Sequence, residues 1–285
     1  IGYAAMHGDF GANDVQYCIA IGQDALTGTL TDAANGNIAI GHLALQANTT
    51  GAGAVAIGYE ALKAQVAGVS NTAIGYQSML AASHQDADQN TCVGYISGNA
   101  ITEGQKNTLI GNEAGCTRLT TGDKNTAVGA ETLGKGSDAA LTGDNNTCVG
   151  YQAGEWLKGS ATKNTLLGSY AGEDITTGTL NVCVGHEAEP SSATATNQIV
   201  IGDFSGIANA GIADNAVTLG NDEITAVYMA RDKGAKVYAS EAEIVQTTTT
   251  GKGLYVYRDF ASGSTNSPVA YFHNDNASDD QDTLS

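Results

Sequence analysis

Three cysteines share one position. Cys92, Cys148 and Cys183 each stand two residues before a glycine, at Gly94, Gly150 and Gly185. A column of thiols could hold a soft metal or carry redox chemistry. Ala and Leu fill the same position elsewhere, so the residue type reads as a small hydrophobe. The remaining cysteines are Cys18 and Cys116; the count is odd and no Cys-x-x-Cys occurs, which excludes a complete intrachain disulfide framework. Asp86-Ala87-Asp88-Gln89-Asn90 opens like a calcium loop, but Thr91 stands where that loop turns on Gly and Ser97 where it needs Glu, so an EF-hand is rejected. The polar loops at Asp123 to Asn125 and Asp144 to Asn146 remain compatible with a structural cation such as calcium. The five histidines are scattered, with no partner acid or nucleophile signalled nearby. Trp156, in Glu155-Trp156-Leu157-Lys158, is a candidate receptor contact; the plainer reading is a local loop core. No catalytic residue, cofactor site or defined metal site emerges, and the expectation is a protein that is not an enzyme.

Charge narrows the partners. Thirty acidic residues against twelve basic ones give a net charge of −18 over 285 residues. Such a surface repels phosphate backbones and anionic lipid, which argues against nucleic acid and membrane insertion. No apolar run approaches the ~18 residues of a membrane span. Proline is rare (2) and glycine abundant (37), while aromatics make up 6%. A core poor in large rings must be thin and built from Ala, Val, Ile, Leu and Cys.

The elements that position these residues are repeats. Asn-Thr-small-aliphatic-Gly recurs at 71–75, 90–94, 107–111, 125–129, 146–150 and 164–168. With degenerate copies, the anchor glycines are Gly2, Gly22, Gly41, Gly58, Gly75, Gly94, Gly111, Gly129, Gly150, Gly168, Gly185, Gly202 and Gly220, spaced 17 to 21 residues apart. The residue before Gly is always Ile, Val or Leu, and the one three before it is always β-branched. Asn stands four before Gly at 37, 71, 90, 107, 125, 146, 164 and 181. Short β-branched runs between Asn and Gly read as strands. About 18 residues cannot hold a strand, a crossover helix and a return, but they suffice for one coil of a parallel β-solenoid with two or three short strands per turn. Gly fits a corner that excludes a Cβ. Asn fits the preceding bend, and its stacked amides can bond from coil to coil.

Alternation sets the residues one and three before Gly on one face, and those two and four before it on the other. The expectation is that the first pair faces inward. That leaves an Ala/Cys stripe, including Ala73, Cys92, Ala127, Cys148 and Cys183, to be covered by other copies of the chain. The same parity puts the threonine rank (72, 91, 108, 126, 147 and 165) inside, which counts against an ice-binding solenoid. A polysaccharide depolymerase would need clustered carboxylates, and the acids here are dispersed.

The phrase Asn71-Thr72-Ala73-Ile74-Gly75-Tyr76 and its copies resemble the head repeats of trimeric autotransporter adhesins and related repeats of phage tail fibres, over about residues 1–222. The repeat here is longer than the roughly 14 residues usual in the adhesins. Residues 221–239 are similar to the segment that follows such repeats in phage fibre proteins. The resemblance implies a parallel homotrimer on a virion that attaches to a cell-surface glycan or protein receptor and joins other virion proteins. The alternative is an adhesin head on the bacterial surface. Such fibres often end in a self-cleaving chaperone, and no such domain is read here. The chain is therefore expected to be a fragment or processed product.

Past Gly220 the rhythm stops. Residues 221–250 read as a neck and connector with two strand-like runs and a short helix at Glu241 to Val245. Residues 251–285 read as a β-rich trimeric segment, with strands around Gly253 to Tyr257 and Val269 to His273.

Overall fold

The computed structural model describes residues 1–7, 13–135, 139–203 and 214–221. The chain divides into two compact units, Ile1–Thr225 and Ala226–Ser285. The neck helix and the C-terminal strands expected from the sequence lie outside the described residues.

The first unit is an all-β parallel solenoid. Its strands are β1 (Ile19–Ile21), β2 (Ile38–Ile40), β3 (Val55–Ile57), β4 (Thr72–Ile74), β5 (Thr91–Val93), β6 (Thr108–Ile110), β7 (Thr126–Val128), β8 (Thr147–Val149), β9 (Thr165–Leu167), β10 (Val182–Val184), β11 (Ile199–Ile201) and β12 (Val217–Leu219). They form one parallel sheet in chain order. Each pairs with the next in the register the glycines predict, so Thr72 lies beside Thr91, Ala73 beside Cys92 and Ile74 beside Val93. Eleven steps of about 4.8 Å make the sheet about 53 Å long.

Each coil contributes one strand to this sheet, not the two or three expected. Elsewhere in the described coils the pairing shrinks to isolated parallel bridges, such as Leu119 to Leu141 and Thr179 to Thr196. The return path is built from residues in the left-handed region, among them Gln77 (φ 50), Met79 (φ 53) and Gln89 (φ 57). This conformation costs an L-residue roughly 1–2 kcal/mol. It is held here because it aims successive amides at alternate neighbours: Gln77 N donates to Tyr59 O of the preceding coil (2.8 Å), and Met79 N to Ser97 O of the next (2.9 Å). Gly75 turns the corner at φ +138, and a Cβ there would overlap the Gly94 carbonyl.

The asparagine column forms a buried spine. Asn90 donates both its N–H and its amide to Asn71 Oδ1 (2.9 and 3.3 Å), and Asn107 does the same to Asn90 Oδ1 (2.9 and 3.0 Å). The chain of bonds continues through Asn125, Asn146, Asn164 and Asn181 to the N–H of Gln198. The left-handed residue is the one before each Asn, such as Ser70 or Lys106, rather than Asn itself.

The core reverses the predicted parity. The residues two and four before Gly point inward: Ala73, Cys92, Ala127, Cys148 and Cys183 are fully buried in the coil, as are Asn71 and Asn107. These five residues are therefore not a surface that faces other chains. The reason is fit against the opposing turn. The inward column holds mostly Ala and Cys beside the Asn amide, and takes Leu109 and Leu166 where the opposing turn supplies Gly115 and Gly172, while the Ile, Val, Leu or Thr pair of each strand is turned out.

Size matching makes the core close. Where Ala stands two before Gly, the residue six later is Leu or Met, as in Ala39/Leu45, Ala56/Leu62, Ala73/Met79 and Ala127/Leu133. Where Leu or Cys stands there, that residue is Gly, as in Cys92/Gly98, Leu109/Gly115, Cys148/Gly154 and Leu166/Gly172. A Cβ on Gly154 would come within 2.9 Å of Cys148 Sγ and of Leu166 Cδ1. Cys183 is paired instead with Glu189, which places a carboxyl at a core position.

Candidate functional site

The outward side of the sheet is the most extended chemical feature of the described residues. It carries the residues one and three before each Gly, twenty-four positions on twelve strands, all Ile, Val, Leu or Thr. No charge falls on it, in a chain of net charge −18. None of these residues is buried, and Ile74, Ile110, Leu167 and Ile201 are 36–47% exposed. The threonine rank faces out with them, against expectation.

An aromatic row borders part of this face, in the column just after Gly. His42, Tyr59, Tyr76 and Tyr95 stack with ring centroids 5.1–5.3 Å apart. Farther along, Tyr151 and His186 of this column meet Tyr170, which stands one residue beyond it after Gly168 and Ser169, edge to face. The sequence column predicts such a ladder, and coil pitch sets its spacing.

Trp156 is half-exposed. The guanidinium of Arg118 lies 5.2 Å from its ring centroid. Arg118 Nη1 also donates to the Trp156 carbonyl (3.0 Å). The side chain is pinned by a buried cation from two coils earlier. Sequence reasoning missed Arg118, because only the stacking brings 118 and 156 together.

The acidic loops serve the backbone. Asp88 Oδ1 accepts from Val69 N (2.7 Å), Asp123 Oδ1 from Gln105 N (2.8 Å) and Asp144 Oδ1 from Asp123 N (2.8 Å). Carboxylates turned onto amides of the preceding coil act as inter-coil caps. Among the described residues, no group of three or more His, Cys, Asp or Glu is placed to hold a metal. No described helix is long and apolar enough to cross a membrane.

The described cysteines are free thiols. Burial pushes Cys92 up to about 12, and pushes Cys148 and Cys183 up as well. Thiols so held are poor nucleophiles. Glu189 was not singled out from the sequence. Both its oxygens are sealed from solvent without a hydrogen bond of good geometry. Burial first, then the Asp174 charge, push its carboxyl up to about 8, while the backbone amides of Glu173 and Asp174 draw it partly back. Glu155 and Glu173, one residue farther from their anchor glycines, are also raised first by burial.

No protein-family model matches the chain, and no curated protein sequence matches it either.

Proposed function

We propose that this chain is a non-enzymatic structural and attachment fibre of a virion. In this reading the solenoid is a rod of three parallel copies that presents a receptor-binding region to a cell-surface glycan or protein. One observation carries it: a continuous, uncharged Ile/Val/Leu/Thr face on twelve in-register strands. A strip about 53 Å long and about 10 Å wide is about 500 Å², at the upper end of apolar patches on monomers. The bordering Tyr59, Tyr76 and Tyr95 bring it toward the roughly 800 Å² that a stable interface takes from each partner. The self-association surface is thus the Thr/Ile side, not the Ala/Cys side. The virion assignment is supported by the likeness of the Asn-Thr-Ala-Ile-Gly-Tyr repeats and of residues 221–239 to fibre proteins. Carboxylates spent on backbone amides and thiols held protonated favour a structural role over catalysis. Native mass spectrometry tests the assembly: the expected mass is three times the 28.9 kDa chain, and a monomer would refute it. Labelled protein binding to bacterial cells, but absent from the surface of the cell that encodes it, separates a virion fibre from an adhesin head.

A second reading draws on the outward threonine rank. Six threonines in register on consecutive strands of one sheet present regularly spaced hydroxyls and methyls, as an ice-binding plane requires. Thermal hysteresis by a monomer would favour this reading over the fibre.

A further inference from the structure

The outward face repeats at every coil, so parallel copies slipped by one coil would meet almost the same aliphatic surface. An assembly of such copies needs a feature that fixes their relative height. The residue three before Gly differs along the sheet. It is Ile19, Ile38 and Val55 in β1–β3, threonine in all of β4–β9, and Val182, Ile199 and Val217 in β10–β12. The polar stretch is unbroken and is bracketed by three aliphatic strands on each side. None of its six hydroxyls takes part in a hydrogen bond among the described residues, while several threonines elsewhere in the coils bond to the neighbouring coil, as Thr49 and Thr142 do.

We propose that this six-threonine block sets the axial register of copies of this chain packed through the outward face; the inference rests on the homotrimer proposed above. With the blocks level, each hydroxyl meets another at its own height and can both donate and accept. After a one-coil slip, the hydroxyl at each end of the block faces Val55 or Val182 in a dry interface, where an unmade hydrogen bond is costly. The slip also uncovers one terminal aliphatic strand on each copy, a loss that does not depend on the threonines, so the block's own penalty is the part that vanishes when the block is removed. The occupant is a second copy because the face is uncharged throughout, has the length of the whole sheet and carries a pattern that matches only itself in parallel.

The test uses disulfide reach in the full chain, in a Cys18→Ala background. Chains with Thr126→Cys and chains with Thr108→Cys are assembled together and oxidised. Level copies link 126 to 126. A link of 126 to 108 needs about 4.8 Å of extra rise and falls outside the Cα separation of up to about 7 Å that a disulfide spans. The expected excess of level over slipped links is about tenfold or more, equivalent to about 1.4 kcal/mol. Replacing the five threonines of the block that remain in each chain by Val, the residue already present at Val55, Val182 and Val217, should lower this ratio severalfold. As a second variant, Thr72→Val with Val182→Thr moves the block by one strand. Mixed with unshifted chains, it should turn the preferred partner of position 126 into position 147 of the shifted chain. A trimer whose link ratio stays the same in both variants overturns the register proposal and leaves the homotrimer standing. A native mass of one chain overturns both.

Discussion

Leu166 and Gly172 show how one residue dictates another six positions on. Leu166 fills the interior, so a Cβ on Gly172 would meet its Cδ atoms at 2.5 and 2.7 Å. Leu at the Gly172 column is otherwise acceptable, since Leu45 and Leu62 hold the same left-handed backbone there. Gly172→Leu should therefore destabilise by roughly 1–3 kcal/mol through overpacking, and Leu166→Ala by about 2–5 kcal/mol through a cavity. The double variant should recover most of the loss, because it recreates the Ala/Leu pairing of β2 and β3; urea unfolding of the four proteins measures the coupling. Glu189 breaks the same rule and adds a pH dependence. Its folded pKa, near 8, lies above the ordinary 4.5. The folded state then holds more protons than the unfolded one between those values. Its contribution is full below about 4.5, declines as pH rises through this window, and levels off above about 8. Melting temperatures of wild type and Glu189→Gln from pH 4 to 9 should differ in slope within that window.

At the scale of the element, a three-residue strand is too short to hold itself, and the coil is secured by what lies on each side of it. Asn107 accepts from Asn125 N (2.8 Å) and donates its amide to Asn90 Oδ1 and to Gly122 O (2.9 Å). Asn107→Ala would leave a buried N–H and a buried carbonyl without partners. That should cost on the order of 2–6 kcal/mol, at about 1–3 per orphaned group. Hydrogen exchange should show the loss concentrated in β5–β7, since each coil bonds only to its neighbours.

At the scale of the molecule, inward and outward substitutions should separate folding from assembly. Ala127→Asp puts a charge into the closed core and should abolish the fold, as read by circular dichroism. Ile110→Asp places the same charge on the outward face. It should leave the strand signal intact and turn the proposed trimer into monomers by native mass. Dissociation by the inward variant with its fold intact, or none by the outward one, would return the self-association surface to the other side of the sheet.

The repeat, its period, the strand positions and the sheet register were legible from the sequence, because each depends on residue type at a fixed spacing. Gly at the corner and Asn in the spine have backbone and amide requirements that few residues meet. What the sequence reading misassigned was which side of each strand faces in. Alternation defines two faces without naming the interior, and Thr-Ala-Ile suits either orientation by hydropathy alone. Packing against the opposing turn decided it: the inward column must match the residue six positions on in size, and the Asn amide beside it must reach its partners in the neighbouring coils. The left-handed Leu, Gln and Lys residues of the return path were likewise hidden, since no local preference favours them; bonds to the coils on each side hold them there. The Arg118–Trp156 contact exists only because stacking brings distant residues together, so tertiary structure alone could reveal it.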